Sequence, residues 1–330
     1  MPKTRFRDSA KYAPLAAAYA SEDMQAGTRL NHDDVGGYRT KTVRAGEFLY
    51  VSMYPLIGVN TDRKQRAMQE EFENAEIKKS RLRMKYARYN NKRRITEFEQ
   101  LVHANITKGD LHVTCTYDRQ DYMDYNSLIF RSREDAKRDI RNYIRRVRHL
   151  LKKNGVDLNQ FRWICVTVTK EAIQEAARPL PDKHHHHLLF HGVPDYLRDD
   201  VENLWREGYC NADRLRESSE GFADVAGYVA RQESSANGEN HGERSYTTSR
   251  NIIRPQVTTS DSKLSRRRAA MIAGDVRAFG QEIFDKLFPG YRITDEPVVN
   301  TSVFVAGAYI YARLRKIPEA TKRREGRRPD

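Results

Sequence analysis

The chain has 330 residues, of which 38% are hydrophobic and 32% are charged. Its 59 Lys and Arg against 45 Asp and Glu give a formal net charge of +14, which predicts a polyanionic partner and argues against an ordinary metabolic enzyme. The mean hydropathy is -0.82. The longest apolar run, Val303 to Ala312, is shorter than the roughly 20 residues of a membrane-spanning helix, so we expect no membrane partner.

The three cysteines predict a reducing compartment. Cys115, Cys165 and Cys210 are odd in number, widely separated and without C-x-x-C spacing. This pattern argues against both a disulfide framework and a cysteine zinc site, and it is typical of a cytoplasmic protein.

The first hundred residues have the composition of an accessory region. Residues 49–56 predict a strand, and residues 62–99 predict a helix dense in Lys and Arg. Such a run fits both a solvated helix face and a nucleic-acid contact, and the charge of the whole chain favours the second. Arg93 and Arg94, near the end of this helix, are therefore predicted to contact DNA.

A long amphipathic helix is predicted in the middle of the chain. Ser132, with Asp135 three positions on, forms an approximate capping box, and Gly155 is a good stop signal. Apolar residues recur between them at steps of three and four, which predicts one buried face. Cations occupy the other face, and among them Arg145 and Arg148 are predicted to contact DNA.

Strand patterns flank this helix. The segment 111–117 alternates apolar and polar residues, and the segments 161–169 and 184–191 are also predicted to be strands. Further helices are predicted after Pro194 and over 222–232. This order predicts an α+β fold with an antiparallel or mixed central sheet and helices on one face.

The composition divides the chain into four regions. We expect a basic helical N-terminal accessory region at 1–100 and the α+β domain at 101–257. An α/β C-terminal accessory region follows at 258–315, and the basic tail at 316–330 is predicted to be disordered.

Four consecutive histidines, 184–187, precede an apolar run. Alternate residues of a strand share a face, so His185 and His187 are expected to point into one site while His186 faces the other way. Two such imidazoles can bind one divalent ion if a third ligand closes the site. A polar edge strand with solvated histidines is the other interpretation.

One tyrosine lies on the polar border of the helix predicted at 222–232. Asp224, Tyr228 and Arg231 fall together there, at i, i+4 and i+7. In isolation, a partly buried core tyrosine is the better explanation of this position. A tyrosine hydroxyl, with its usual pKa of about 10, can attack a phosphodiester when a metal ion polarises the phosphate.

Four segments, taken in order, resemble the HUH (His-hydrophobe-His) endonucleases. The likeness is to the single-tyrosine rolling-circle replication initiators of bacteriophages and related mobile elements, and it covers residues 86–257. The segments are HVTCTYD at 112–118, HHHLL at 185–189, AGYVAR at 226–231 and YTTSRNIIRP at 246–255.

Two residues depart from the pattern of this family. Arg231 stands where Lys is usual, which keeps the positive charge but replaces a compact ammonium group by a planar guanidinium. His186 occupies the position of the bulky hydrophobe.

The resemblance implies a metal site and a nucleophile. His185 and His187 would bind Mg2+ or Mn2+, with Glu171 as the expected third ligand and Asp118 as its competitor. The hydroxyl of Tyr228 would attack single-stranded origin DNA to leave a 5′-phosphotyrosine link and a free 3′-OH, and a second transfer would rejoin the strand.

The remaining implications concern partners. Arg231 would contact the phosphate near Tyr228, and Arg250 in the fourth segment would contact DNA. The chain contains no G-x-x-x-x-G-K-[ST] segment, so we expect the host helicase and DNA polymerase to act with it in the bacterial cytoplasm, without a small-molecule cofactor. Two alternatives stay open: a plasmid relaxase or transposase of the same chemistry, and a non-catalytic nucleic-acid-binding regulator.

Overall fold

A computed structural model describes residues 6–8, 35–58, 75–117, 132–170, 183–234, 246–302 and 305–318. The chain divides into two compact units, one formed by residues 94–254 and the other by residues 1–93 together with 255–330. None of the helices within these described ranges has the length and the apolar character needed to cross a membrane.

Strands and helices are mixed along the described chain. The first half contains β1 (Phe6–Asp8), β2 (Val35–Ala45), β3 (Phe48–Gly58), α1 (Ala75–Asn105), β4 (Leu111–Thr116), α2 (Arg133–Lys153) and β5 (Arg162–Lys170). The second half contains β6 (Lys183–His191), α3 (Arg198–Asn203), β7 (Cys210–Arg214), α4 (Ala223–Ser234), β8 (Thr247–Thr248), β9 (Gln256–Ser260), α5 (Arg266–Gly274), α6 (Val276–Leu287), β10 (Tyr291–Ile293), β11 (Val298–Ser302) and β12 (Val305–Lys316).

A five-stranded antiparallel sheet forms the centre of unit 94–254. Its strand order is β7-β4-β6-β5-β8, so the histidine strand β6 is paired on both sides. The predicted α+β class is confirmed, and the pairing within this sheet is entirely antiparallel. The short strand β7 was not predicted, because its five residues carry too little period-two signal.

Helices cover both faces of this sheet, so the prediction of helices on one face is wrong. On one face, Leu188 and Phe190 of β6 pack with Ile140, Tyr143 and other apolar residues of α2. On the other face, apolar side chains of β5 and β6 pack against the end of α1 and against α4; they are Ile164, Val166, Val168 and Leu189. The physical reason is that β5 and β6 carry apolar side chains on both faces, among them Cys165 and Leu188 on one and Val166 and Leu189 on the other, and each face needs its own cover.

The helix α2 follows its sequence signals closely. Ser132 is the N-cap, and its side chain and that of Asp135 exchange hydrogen bonds with each other's backbone N–H in a complete capping box. The apolar side chains at three- and four-residue steps are buried, among them Tyr143, Val147 and Leu151. Gly155, at φ +73°, follows the end of the helix.

The other unit contains a seven-stranded antiparallel sheet with the main order β10-β12-β3-β2-β9, in which β1 also pairs with β3 and β11 with β12. The strand predicted at 49–56 lies within β3. Strands from the two regions that the sequence presents as separate, 1–100 and 258–315, are therefore neighbours in one sheet. Residues 319–330, most of the tail predicted to be disordered, lie outside the described residues.

A glycine in β12 is required by close packing. Gly307 has φ +86°, and a Cβ atom there would lie 2.8 Å from the Tyr38 Oη and 3.0 Å from the Pro55 Cβ. The same Tyr38 hydroxyl accepts a hydrogen bond from the Ala308 N–H at 2.9 Å. The backbone of β12 therefore approaches the buried tyrosine more closely than a side chain would permit.

We expect Gly307→Ala to lower the free energy of unfolding by about 2–4 kcal/mol, through left-handed strain and overpacking. Gly274→Ala is the matched control, because Gly274 ends α5 with φ outside the left-handed region and with open space around an added Cβ. The control should be neutral or stabilising by up to about 1 kcal/mol. Thermal unfolding of both variants tests this, and equal midpoints would contradict it.

Candidate functional site

The strand β6 sorts its histidines onto the two faces of the sheet. The register pairs His187 with Thr114 and Val166, and it pairs His185 with Thr116 and Val168. Residues paired directly across antiparallel strands share a face, so these two rows lie side by side. The rings of His185 and His187 meet edge to face, with centroids 5.1 Å apart.

His187 has one ring nitrogen with partners and one without. Its Nδ1 lies 3.3 Å from both the His112 Nε2 and the Thr114 Oγ1. Its Nε2 is buried and has no hydrogen-bond partner within the described ranges, although the residue is only 3% exposed. Burial, together with the nearby His112 and His185, lowers the pKa of His187 to about 3. The ring is therefore neutral at pH 7, with a lone pair available to bind a ligand.

His112 belongs to this site and was not singled out from the sequence. It lies on β4 next to His187, and the two rings stack with centroids 5.4 Å apart and planes 24° apart. Burial lowers the pKa of His112, while Asp213, its cross-strand neighbour on β7, opposes that shift. The available signal was its polar position in the alternating segment 111–117, which predicts its face but not the strand beside it.

His186 has a structural environment on the opposite face. Its Nδ1 lies 2.9 Å from the Thr167 Oγ1, and its Nε2 lies 3.0 Å from the Tyr117 hydroxyl. The Trp205 ring packs at 5.7 Å. Both ring nitrogens thus have partners, which explains how an imidazole can replace a hydrophobe there. Burial and the flanking histidines lower the pKa of His186 to about 3.

The helix α4 brings Tyr228 to the histidine face. Ala226 and Val229 on its inner side are buried in the core beneath it. Tyr228 itself is 45% exposed, and its ring packs edge to face on His187 with centroids 5.5 Å apart. The Arg231 guanidinium folds back over Gly227, where a Cβ atom would lie 3.2 Å from its Nη1. Gly227 therefore leaves room for a cation beside the tyrosine.

The other predicted site residues lie elsewhere. Glu171 and its competitor Asp118 are outside the described residues. Arg93 is exposed and Arg94 half-buried on α1, while Arg250 is exposed just after β8. The exposed Arg145 and Arg148 lie on α2, across the sheet from Tyr228. The structure thus brings together His112, His185, His187 and Tyr228. The guanidinium of Arg231 lies over Gly227, the residue before Tyr228 on α4.

The side chains at this site that could bind a metal ion are histidines, and their imidazole rings lie in close pairs. In the part of the chain that the structure describes, no group of three or more His, Cys, Asp or Glu side chains is arranged to hold a metal ion. The close pairs are His112 with His187 and His185 with His187.

Neither a family model, nor a curated protein, nor a solved structure matches this chain.

A histidine on one face of β6 contributes more to stability than a histidine on the other face. Unfolding experiments measure this difference. His186→Ala should lower the free energy of unfolding by roughly 2–4 kcal/mol, because it opens a cavity and removes one hydrogen-bond partner from each of Tyr117 and Thr167. His185→Ala, at a half-buried position on the other face, should cost less than about 1 kcal/mol. Urea unfolding of both variants checks this prediction, and an equal cost would argue against the division of roles.

Proposed function

We propose that this protein nicks and rejoins single-stranded DNA through Tyr228 and thereby starts rolling-circle replication. The observation that carries the proposal is the contact of Tyr228 with His187. The ring of a half-exposed tyrosine lies 5.5 Å from an imidazole whose buried Nε2 has no partner in the described ranges. The ring of the proposed nucleophile therefore packs on an imidazole that keeps one ring nitrogen without a partner in the described ranges.

The surroundings of Tyr228 suit a phosphodiester substrate. Its hydroxyl is on an exposed residue, so a DNA strand has access to it. The guanidinium of Arg231, one turn further along α4, supplies a positive charge beside it. An Arg fork suits the bidentate geometry of a phosphate group. The net charge of +14 favours approach of any nucleic acid.

The residues present fit a divalent ion in their donor chemistry. Metal-bound histidines commonly present one ring nitrogen to the ion while the other is held by a neighbour. The two ring nitrogens of His187 differ in the same way. Its Nδ1 lies beside Thr114 and His112, and its Nε2 has no partner in the described ranges. His187 and His185 would hold the ion, and His112 would orient His187. Neutral imidazoles with phosphate and water oxygens form a mixed ligand set that suits Mn2+ better than Mg2+.

The proposed reaction is a transesterification. The Tyr228 oxygen forms a bond to phosphorus as the bond from phosphorus to the 3′-oxygen breaks. The tyrosine loses its proton to water, and the leaving oxygen gains one, so no net proton is consumed. A bound divalent ion would polarise the phosphate and neutralise charge in the transition state. Arg231 would hold the phosphate in place, and the reverse transfer would rejoin the strand.

The role in rolling-circle replication rests on the products of this reaction. A free 3′-OH can prime a polymerase, while the 5′ end stays attached to the protein. Host helicase and polymerase would do the remaining work. A relaxase or a transposase would use the same chemistry, but no observation in the described part of the structure favours either.

Tyr228→Phe tests the nucleophile. The change removes one oxygen from an exposed side chain, so folding and DNA binding should stay within about twofold of wild type. Nicking and the denaturation-resistant protein–DNA adduct should vanish. The measurement is gel analysis of the full-length protein with labelled single-stranded origin DNA and Mn2+.

Tyr209→Phe is the matched control. Tyr209 is 66% exposed, and its carbonyl accepts a hydrogen bond from the Thr116 N–H, which places it beside the end of β4. The control should retain the adduct. An adduct that persists in Tyr228→Phe and maps to Tyr209 or Tyr246 by mass spectrometry would overturn the assignment. DNA binding by wild type without any adduct would favour the non-catalytic regulator.

Metal binding is tested without any DNA. Wild-type protein should bind Mn2+ in calorimetry or by paramagnetic resonance, and His187→Ala or His185→Ala should abolish that binding. His112→Ala should weaken it by roughly 10-fold or more, as the loss of an orienting partner does. His149→Ala, which removes an exposed imidazole from α2, should have no effect. Retention of full Mn2+ affinity in His187→Ala would show that the ion is bound elsewhere.

A further inference from the structure

The helix α2 carries a row of cations on the side that faces away from the sheet. Its members are all exposed and recur at steps of three or four, so they form one line along the helix: Arg138, Arg141, Arg145, Arg148 and Lys152. At about 1.5 Å per residue the row is roughly 21 Å long. We call it the α2 row.

Most of the α2 row has no carboxylate partner within the described ranges. Arg138 pairs with Asp135 at 2.7 Å. Arg141, Arg145, Arg148 and Lys152 form no ion pair in the part of the chain that the structure describes, although the chain contains 45 Asp and Glu. Lys153 and His149 are exposed beside them. Neighbouring like charges on a helix repel one another, so the row is a cost to the free protein that a polyanion would relieve.

The α2 row lies across the sheet from the proposed nucleophile. The apolar side of α2 packs on the sheet face that bears Leu188 and Phe190. Tyr228 contacts His187, which points to the other face. The thickness of the sheet and of the α2 layer, about 10 Å for each layer, separates the two surfaces. A phosphate held at Tyr228 therefore cannot reach the α2 row.

The exposed side chains of α2 suit duplex nucleic acid better than a single strand. Single-strand binding surfaces combine cations with aromatic rings on which bases stack. The helix α2 presents no exposed Tyr, Phe or Trp, since its one aromatic residue, Tyr143, is buried. The Tyr228 side of the sheet is different, because that tyrosine is 45% exposed. Cations without stacking rings suit the regular phosphate backbone of a duplex, which carries one charge per about 1.7 Å of axis.

We propose that the α2 row binds the phosphate backbone of duplex DNA beside the single-stranded segment that reaches Tyr228. This inference rests on the proposed function for the identity of the single strand. The duplex is either a hairpin stem or the double strand that flanks the nick site, and both present the same backbone. The α2 row binds without reading sequence, and it positions the origin while α4 performs the chemistry.

The test compares two probes with the full-length protein. One is a labelled single-stranded oligonucleotide that spans the nick site, and the other is the same strand joined to a duplex of about 20 base pairs, which is about the span of two helical turns. The variant combines Arg141→Glu, Arg145→Glu and Arg148→Glu. We expect anisotropy to show at least about 30-fold weaker binding of the duplex-bearing probe. The slope of log affinity against log salt should fall by about 2–3, since each lost phosphate contact contributes about 0.9.

Adduct formation on the single-stranded probe should fall much less than binding of the duplex-bearing probe. A second variant, with Gln in place of Glu at the same three positions, should show a smaller loss in the same direction, and circular dichroism should show that both variants fold. The matched control reverses three scattered exposed cations, Arg206, Arg216 and Arg267, and so changes the net charge equally. The control should lose much less duplex affinity.

Three outcomes would overturn the proposal. They are an unchanged duplex affinity in the folded variants, an equal loss for both probes, and an equal loss in the charge-matched control. The duplex could be a hairpin stem or the double strand that flanks the nick site. A further probe, whose duplex is a closed stem, distinguishes these two. If wild-type protein forms no adduct but the variant still loses duplex binding selectively, the nicking function fails and the duplex surface stands.

Discussion

The period of two along β6 is the constraint on which the site depends. Because β6 is paired on both sides and covered on both faces, every side chain in it enters one of two environments. On one face, His186 is held by Thr167 and Tyr117 in the core. On the other, His187 keeps a nitrogen without a partner in the described ranges, beside Tyr228. One strand thus supplies both a fixed scaffold and a reactive surface.

Burial also sets the charge state of the histidine cluster. His112, His185 and His187 lie close together, and three protonated imidazoles at these distances would repel one another strongly. Removal from water disfavours the charged ring, so the pKa values of His112 and His187 fall. The positive charge near Tyr228 comes instead from the guanidinium of Arg231, which lies over Gly227. The site therefore combines neutral imidazoles at His112 and His187 with a neighbouring cation.

Local patterns predicted those features that depend on a few neighbouring residues. The capping box of Ser132, the strand alternation at 111–117 and the opposite directions of His186 and His187 are all local. The second helix layer over the sheet and the role of His112 depend on which strands are neighbours, and the sequence alone does not specify that. The same holds for the other unit, where Arg39 and Asp261 form an ion pair at 2.6 Å across 222 residues. Strand periodicity predicts a face, whereas pairing depends on packing of the whole unit.

The run of four histidines has a consequence for strand register. If β6 slid by one residue, His184 and His186 would replace His185 and His187, and an aliphatic or aromatic side chain would still follow on each face. The histidines alone therefore do not distinguish the two alignments. The discrimination must come from their neighbours: the Thr169 and Thr167 hydroxyls that meet His184 and His186, and the Phe161 ring 5.4 Å from Phe190. The threonines of β5 thus select one of two nearly equivalent alignments of a repetitive strand.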